Sequence, residues 1–454
     1  LFIQNCGRSM LQKLVLLILT SLIIFTGCTH SHNHSKRFSE EMGITMKRFY
    51  PEIKIEKQPV INENSKLSDY LAYAALNNPG VKAAFHQWQA AIQRIAQENA
   101  LPDPMIEYEY QLAAPTDEQE HEVIISQTLP WFGKLRLKGE IAFQQAEEQR
   151  YAFEAARYKL FYEVRKAYGE YYYLAQSITE AEESLELLKY IEETARARLQ
   201  FAQTMAKDVV QIQMELAKLD DRLKELRQMR EPLMAKLVEV LNLPHETFLP
   251  FPSSIPLQTV SVNEADLVEI LQQKNPELKE LAVKTKEAQQ AVELAKKNFY
   301  PDITLGTEYT NIDDHSAEDI DRNEISGIMS FNLPFVQYKK YHAGQKEAEE
   351  KLAASKYGYT SRQNSLIAEL KRALFELKDA QRRMAFYQET LIPVAEHSLM
   401  MQQQAYQMGT GNIFEVIATQ RSLLEFKLAM HRALTDIMIR QAELEMLLGA
   451  PLPG

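Results

Sequence analysis

Between Lys134 and Glu231 the chain has no proline, and Phe161, Val164, Tyr168, Tyr171, Ala175 and Ile178 recur at steps of three and four. That spacing lines one face of a helix. Further on, Ile212, Leu216, Leu219, Leu223 and Leu226 keep a four-three rhythm, a heptad seam that implies left-handed coiling against a neighbouring helix. Leu423, Phe426, Met430, Ala433 and Ile437 repeat the seam, which crosses a polar break at Arg440 and resumes at Leu444 and Leu447. A helix over 134–200 is about 100 Å long at 1.5 Å per residue. No globular core needs that length, so these helices span a distance.

A second pattern has period two. Ile106, Tyr108, Tyr110 and Leu112 alternate with Glu107, Glu109 and Gln111, and Val123, Ile125 and Leu129 alternate with Ile124, Ser126 and Thr128. Ile303, Leu305 and Tyr309, then Ile325, Met329, Phe331 and Leu333, repeat the pattern. Strands are expected over 105–112, 121–129, 303–310 and 324–333. Their length and alternation suit either transmembrane β-strands with one lipid face and one wet face, or a soluble sheet with one solvated face. Residues 113–120 and the acidic stretch 311–323 read as outward-facing hairpin loops. Pro102, Pro104, Pro130, Pro301 and Pro334 mark the opposite ends, where helix changes to strand and back.

The chain is written twice. Asn78-Pro79 recurs as Asn275-Pro276, Leu101-Pro102-Asp103 as Tyr300-Pro301-Asp302, Leu129-Pro130-Trp131 as Leu333-Pro334-Phe335, and Leu243-Pro244 as Ala450-Pro451. This unit is too long for a solenoid and indicates a tandem duplication. The expected organisation is a leader over 1–27, a linker over 28–66, a first repeat over 67–249, a linker over 250–263 and a second repeat over 264–454. Each repeat holds a helix, two strands and a helical hairpin. Four strands cannot close a barrel, and a membrane forbids open strand edges. Membrane strands would therefore require a barrel shared between copies, and three copies supply twelve strands.

An apolar run over 14–25 is too short to span a bilayer and suits a signal-peptide core, with Met10 the expected start. Phe25-Thr26-Gly27-Cys28 resembles a bacterial lipobox, which makes Cys28 a lipid-attachment site, and Thr29 after it suggests sorting to the outer membrane. Cys6 lies in the leader, so the mature chain has no thiol for a disulfide or a thiolate metal site. A net charge of −11 argues against a nucleic-acid partner, and 15 glycines in 454 residues suit a mostly helical chain. His30, His32 and His34 follow Cys28; alternating imidazoles there fit either a loose divalent-cation chelate or a solvated linker. No nucleophile-base pair, phosphate loop or rigid metal cluster supports an enzyme, and no cofactor is expected beyond the lipid on Cys28.

From about Leu67 to Pro451 the chain resembles the TolC-like outer-membrane efflux channels. The motif that carries most of the likeness is Tyr406-Gln407-Met408-Gly409-Thr410-Gly411-Asn412-Ile413-Phe414-Glu415, followed by Val416 to Gln420. Gly409 and Gly411 permit the reversal between antiparallel helices. The first repeat's counterpart runs over 201–211, with Thr204 where a glycine is usual and Asp208 placed to cap the returning helix. Leu129-Pro130-Trp131-Phe132-Gly133-Lys134 looks most like the heavy-metal efflux subgroup.

The resemblance implies a mainly α protein with a membrane β part. Its homotrimer would form an α-barrel continuous with a 12-stranded transmembrane β-barrel. It further implies a passive exit duct in the outer membrane, working with a periplasmic adaptor and an inner-membrane pump of the resistance-nodulation-division (RND) type. By position, Tyr406 matches a gate-latching tyrosine and Glu415 an acid at the constriction, for which a plain helix-start carboxylate is the alternative. Ala418 stands where a second acid is usual and Gly411 where a latching base is usual. Glu107, Glu109 and Glu308 would face the barrel lumen, either to favour cations or, as explanation enough, only to wet it. Two other classes of reading are a duct for drugs, other small molecules or type I secretion, and a periplasmic adaptor lipoprotein. An adaptor should carry one hairpin flanked by glycine-rich β modules, and this chain has two hairpins and no such modules.

Overall fold

A computed structural model describes residues 61–62, 65–110, 118–201, 204–256, 263–314 and 322–453. Cys28, His30, His32 and His34 lie outside them, as do Leu112 and the leader. The order is α1 (Leu67–Asn77), α2 (Pro79–Asn99), β1 (Met105–Tyr110), β2 (Glu118–Leu129), α3 (Lys134–Gln200), α4 (Ala206–Gln228) and α5 (Arg230–Leu241). The second repeat follows as α6 (Glu264–Lys274), α7 (Pro276–Lys297), β3 (Ile303–Asp314), β4 (Arg322–Phe331), a 3-10 turn at Pro334–Gln337, α8 (Tyr338–Phe386), α9 (Ile392–Met408) and α10 (Ile413–Leu448). Among the described residues no helix is long and apolar enough to cross a membrane.

The repeated motifs do the same job in each half. Asn78 caps α2 by accepting from the Val81 N–H at 3.1 Å and donates to the Val240 carbonyl at 3.0 Å. Asn275 caps α7 through the Leu278 N–H at 2.7 Å and donates to the Leu447 carbonyl at 2.6 Å. In both cases Pro at the first helical position gives up an N–H that would have had no partner. Each Asn-Pro therefore starts one helix and holds the end of its own repeat's last helix.

α3, at 67 residues, is about 100 Å long. Its counterpart is broken: α8 passes through a π turn at Tyr387–Leu391 before α9 begins. Pro393 near the start of α9 explains the break, because its ring has no N–H and crowds the preceding turn, which an extra residue per turn relieves. The heptad seam forms as expected but is shared by two cores. Ile212, Leu219, Leu223 and Leu423 belong to one, with Leu216, Leu226 and Phe426 packed against it; Ile437, Leu444 and Leu447 belong to the other. Between Phe426 and Ile437, Arg432 pairs with Glu170 at 2.8 Å and Arg383 with Asp436 at 3.3 Å, and at the polar break inside the second core Arg440 pairs with Glu376 at 3.1 Å.

The strands form one antiparallel meander in chain order, β1-β2-β3-β4. β2 and β3 join the two repeats from Leu129↔Ile303 to Glu118↔Asp314. The boundaries differ from expectation. β2 starts at Glu118, β3 runs to Asp314, and β4 starts at Arg322, so ends of both expected loops are strand. Polar residues can continue a ladder because backbone hydrogen bonds do not depend on side-chain polarity, and the register carries Ile312 opposite Arg322. At its other end β4 stops at Phe331, short of Leu333, because Asn332 accepts from the Asp302 N–H at 2.7 Å and Pro334 has no donor for the ladder. The expected linker at 250–263 is anchored in its described part. Tyr168 donates to the Ser254 carbonyl at 3.2 Å and Arg230 lies over the Phe251 ring, while just before the linker Tyr171 donates to the Leu249 carbonyl at 2.8 Å and Arg230 also covers the Phe248 ring.

Strand gives way to helix at Leu129-Pro130-Trp131-Phe132-Gly133-Lys134. Gly133, at φ 88°, makes the left-handed turn that admits α3. Lys134 is buried; its ammonium donates to Asp302 at 2.7 Å and to the Tyr300 carbonyl at 3.0 Å. Asp302 also accepts from the Trp131 N–H at 2.8 Å, and the Trp131 and Tyr300 rings stack at 5.3 Å. The repeated Pro-Asp of one half thus clamps the elbow of the other. The two ends of the clamp differ in exposure, the Lys134 side chain at 7% and Asp302 at 30%. Removing the carboxylate strands a buried cation, whereas removing the cation leaves a carboxylate that water can reach. Asp302→Ala should therefore cost roughly 3 kcal/mol and Lys134→Met only about 1 kcal/mol. Thermal unfolding of the detergent-solubilised variants measures the order, and a larger drop for Lys134→Met would contradict it.

Candidate functional site at the hairpin tips

The second hairpin turns at Gly409, which ends α9 in the left-handed conformation at φ 84°. The Thr410 and Gly411 N–H groups both donate to the Ala405 carbonyl, at 3.0 and 2.9 Å, so the orphan carbonyls of the last turn are satisfied locally. A Cβ on Gly411 would sit 2.6 Å from the Tyr406 nitrogen, so glycine is required there by close backbone approach. Asn412 then caps α10, its side chain accepting from the Phe414 N–H at 3.0 Å.

Tyr406, Gly409 and Gly411 come together as the sequence indicated, but they meet a residue that sequence reading passed over. Arg198, in the last turn of α3, crosses from the first hairpin and donates to the Tyr406 carbonyl. Its guanidinium lies 4.9 Å from the Tyr406 ring centre. A Cβ on Gly409 would come 3.2 Å from that guanidinium, so this glycine also makes room for the crossing. The arrangement is electrostatically sound. α9 has no basic residue in its last turn, and a helix C-terminus carries partial negative charge that a cation stabilises. A charge-assisted hydrogen bond and a cation–π contact add to it. The only sequence signal was a lone basic residue in the last turn of α3. The Tyr406 hydroxyl is buried with no hydrogen-bond partner among the described residues, so the ring and the carbonyl make the contact.

Asp208 and Glu415 act within their own helix starts. Asp208 accepts from the Thr204 hydroxyl at 2.8 Å and from the Met205 N–H at 3.3 Å, bracing the first turn of α4 from its third position rather than as the N-cap residue itself. Glu415 sits in the first turn of α10, exposed, with no side-chain partner among the described residues. Ala418 is also exposed. Glu107 and Glu109 are exposed on β1.

Behind the tip, α10 is tied to both helices of the first hairpin. Gln420 donates to the Ser184 hydroxyl on α3 at 2.6 Å, and both side chains are buried. Arg421 makes two bonds to Glu215 on α4, at 3.0 and 2.7 Å. About two to three turns further on, Lys427 and His431 flank Glu180 at 3.0 and 3.3 Å. Burial pushes the Glu180 carboxyl up, but the hydrogen bonds from His431 and Lys427 outweigh it and hold it below the usual carboxylate range. Among the described residues no group of three or more His, Cys, Asp or Glu side chains is placed to hold a metal ion.

Residues 267–450 match the family model described as outer membrane efflux protein. No curated protein matches the chain. Among solved structures the chain is similar to CusC, studied for the conformational changes that accompany folding and transmembrane channel formation. The identity is 17% over 88% of this chain and 95% of that one, with a TM-score of 0.73. VceC of Vibrio cholerae is similar at 15% identity over 85% and 97% of the two chains, TM-score 0.71. The open state of the MtrE channel of Neisseria gonorrhoeae is similar at 16% identity over 89% and 95%, TM-score 0.71. These structures share the two-repeat fold of long helices and four strands, and the family match falls on the repeat that carries the Tyr406 to Gln420 tip. The second repeat thus matches the outer membrane efflux protein family, and the chain as a whole has the fold of the TolC-like channels.

Proposed function

We propose that the protein is the passive outer-membrane exit duct of a tripartite efflux system. It closes as a homotrimer around a twelve-stranded barrel and an α-helical tunnel, anchored by a lipid on Cys28. Its partners are a periplasmic adaptor and an RND-type inner-membrane pump, whose chemistry selects the cargo. The observation that carries this reading is the sheet: a four-stranded meander whose outer strands each pair on one side only within the chain, continuous with helices about 100 Å long. Such a sheet is incomplete in lipid until other copies close it. Divalent metal cations are the proposed cargo, supported by the likeness of the Leu129 to Lys134 elbow to the heavy-metal subgroup, with His30, His32 and His34 as a capture site at the anchored end.

The hairpin tips are the proposed gate, and Arg198 is its latch. Opening separates the second hairpin from the first, which breaks the Arg198 contact with the Tyr406 carbonyl and ring. Glu415 is assigned to the constriction.

Purified from outer membranes, the protein should run as a heat-modifiable trimer and conduct ions in planar bilayers. Release as a monomer by salt washing alone would overturn the duct. In the same bilayers Arg198→Ala should raise the open fraction about tenfold, since a charge-assisted hydrogen bond contributes roughly 1.5–3 kcal/mol. Tyr406→Phe should behave like wild type because its hydroxyl has no hydrogen-bond partner among the described residues; an opened channel in Tyr406→Phe with none in Arg198→Ala would reverse the assignment. For the cargo, a deletion strain should become sensitive to divalent metals and be rescued less well by a triple His30, His32, His34→Ala chain than by wild type. Unchanged metal tolerance in the deletion strain would remove the metal reading and leave the duct.

A further inference from the structure

The internal repeat determines more than the number of strands. Leu129-Pro130 and Leu333-Pro334 relate β2 to β4 by 204 positions, and Pro102-Asp103 and Pro301-Asp302 relate β1 to β3 by 199. Applied together, these two offsets carry the pair Met105↔Ser126 onto Thr304↔Ser330, and Tyr110↔His121 onto Tyr309↔Ile325. Both are pairs of the β3-β4 ladder, so the two hairpins of the sheet have the same register without slip. The junction between repeats, β2 with β3, has no counterpart inside the chain. Its counterpart is β4 of one copy with β1 of another.

We infer that β4 joins β1 of a second copy of this chain in one register, with Phe331 opposite Ile106, Met329 opposite Tyr108 and Gly327 opposite Tyr110. These pairs are the images of Gln127↔Leu305, Ile125↔Thr307 and Val123↔Tyr309. The inference rests on the reading of the chain as a shared barrel and specifies how that barrel is sewn.

Three observations independent of the offsets agree with it. First, the register matches like with like. Ile106, Tyr108, Met329 and Phe331 are all exposed apolar residues of the two edge strands, and residues directly opposite in an antiparallel pair share a face. A slip of one position would set them against Glu107, Glu109, Ser330 and Ile328, and turn half of the apolar set to the wet side. Secondly, a Cβ on Gly327 would meet nothing within 4 Å, so the space across the strand is free for the Tyr110 ring of the second copy; an aromatic laid over a strand glycine compensates for its missing side chain. Thirdly, the helices call for the same neighbour. α3 is packed between α2 and α7, and α8, its repeat counterpart, packs against α7. The helix that completes α8 in the same way is α2 of the second copy, which leads directly into β1.

The seam between copies differs from the junction within a copy at the elbow. Phe335 stands where Trp131 does and Tyr338 where Lys134 does, so the second copy's Leu101 and Asp103 meet an aromatic pair rather than a stacked tryptophan and a lysine. Phe335, Tyr338 and Leu101 are all exposed in the single chain. The buried ion pair is therefore a feature of the junction inside the chain only.

Cysteine pairs in the full chain test the register in outer-membrane preparations. Opposed positions have Cβ atoms about 4.5–5.5 Å apart, near the range of a disulfide, and positions two residues out of register about 7–8 Å. β1 and β4 of one chain are three strand spacings apart, about 14 Å, so only a bond between copies can form. On mild oxidation Ile106→Cys with Phe331→Cys, and Tyr108→Cys with Met329→Cys, should give covalent dimers and trimers. Ile106→Cys with Met329→Cys, and Tyr108→Cys with Phe331→Cys, should give at least tenfold less. Equal or stronger crosslinking of the second set in a chain that still conducts would overturn the register and leave the duct intact. Failure of all four pairs in a chain that neither conducts nor forms trimers would overturn both. Failure of all four in a conducting trimer would show that these two edges do not meet, and would overturn the seam alone.

Discussion

In hydrocarbon every backbone N–H and C=O must have a partner, at a cost of several kcal/mol for each that does not. This protein presents four strands with two outer edges, and the remainder of the molecule is arranged around that deficit. The strands cannot be buried by the helices, which run on from them instead of covering them. They cannot close on themselves, because four strands make too small a circle. In the proposed duct the solution is completion by further copies, and the duplication makes it geometrically simple, since a junction of the kind needed between copies already exists inside each one as β2 with β3.

The helical part meets the opposite problem, apolar seams that run for many turns in water. Two cores bury those seams, and α10 carries charged residues between and within them, where Arg432, Asp436 and Arg440 pair with Glu170, Arg383 and Glu376. Half-buried pairs that water still reaches contribute little individually. Their value is positional, because a charged row accepts only one alignment of neighbouring helices, whereas apolar ridges can slide. The tip uses the same device on a smaller scale. Arg198 satisfies a helix end on the other hairpin, so the two hairpins are joined through a contact that neither could make alone.

Much of this was legible in the residues. The helix over 134–200, the heptad seams, the four strands and the paired proline motifs all follow from period and punctuation, which are local properties that survive without knowledge of neighbours. The glycine turn at Gly409 and Gly411 was legible for the same reason. Strand ends were not, because a ladder continues as long as its partner does, and Ile312 with Arg322 is a matter of register rather than of composition. The π turn before Pro393 shows a similar limit: proline announces a disturbance, but the surrounding helix decides whether the chain breaks or only loosens.

Arg198 marks the boundary between the two kinds of knowledge. Apart from its place in the last turn of α3, nothing at 198 distinguishes this arginine from Arg196, which pairs with Glu192 on its own helix; only the approach of α9 gives Arg198 a carbonyl and an aromatic ring to meet. Lys134 is alike, the last residue of a turn motif with no visible partner until Asp302, 168 positions away, is brought to it. The sequence by itself determined the elements and their duplication, since these depend on spacing along one chain. Tertiary structure decided which charges are paired, where ladders end and which edges stay open, since these depend on distances between segments far apart in the chain.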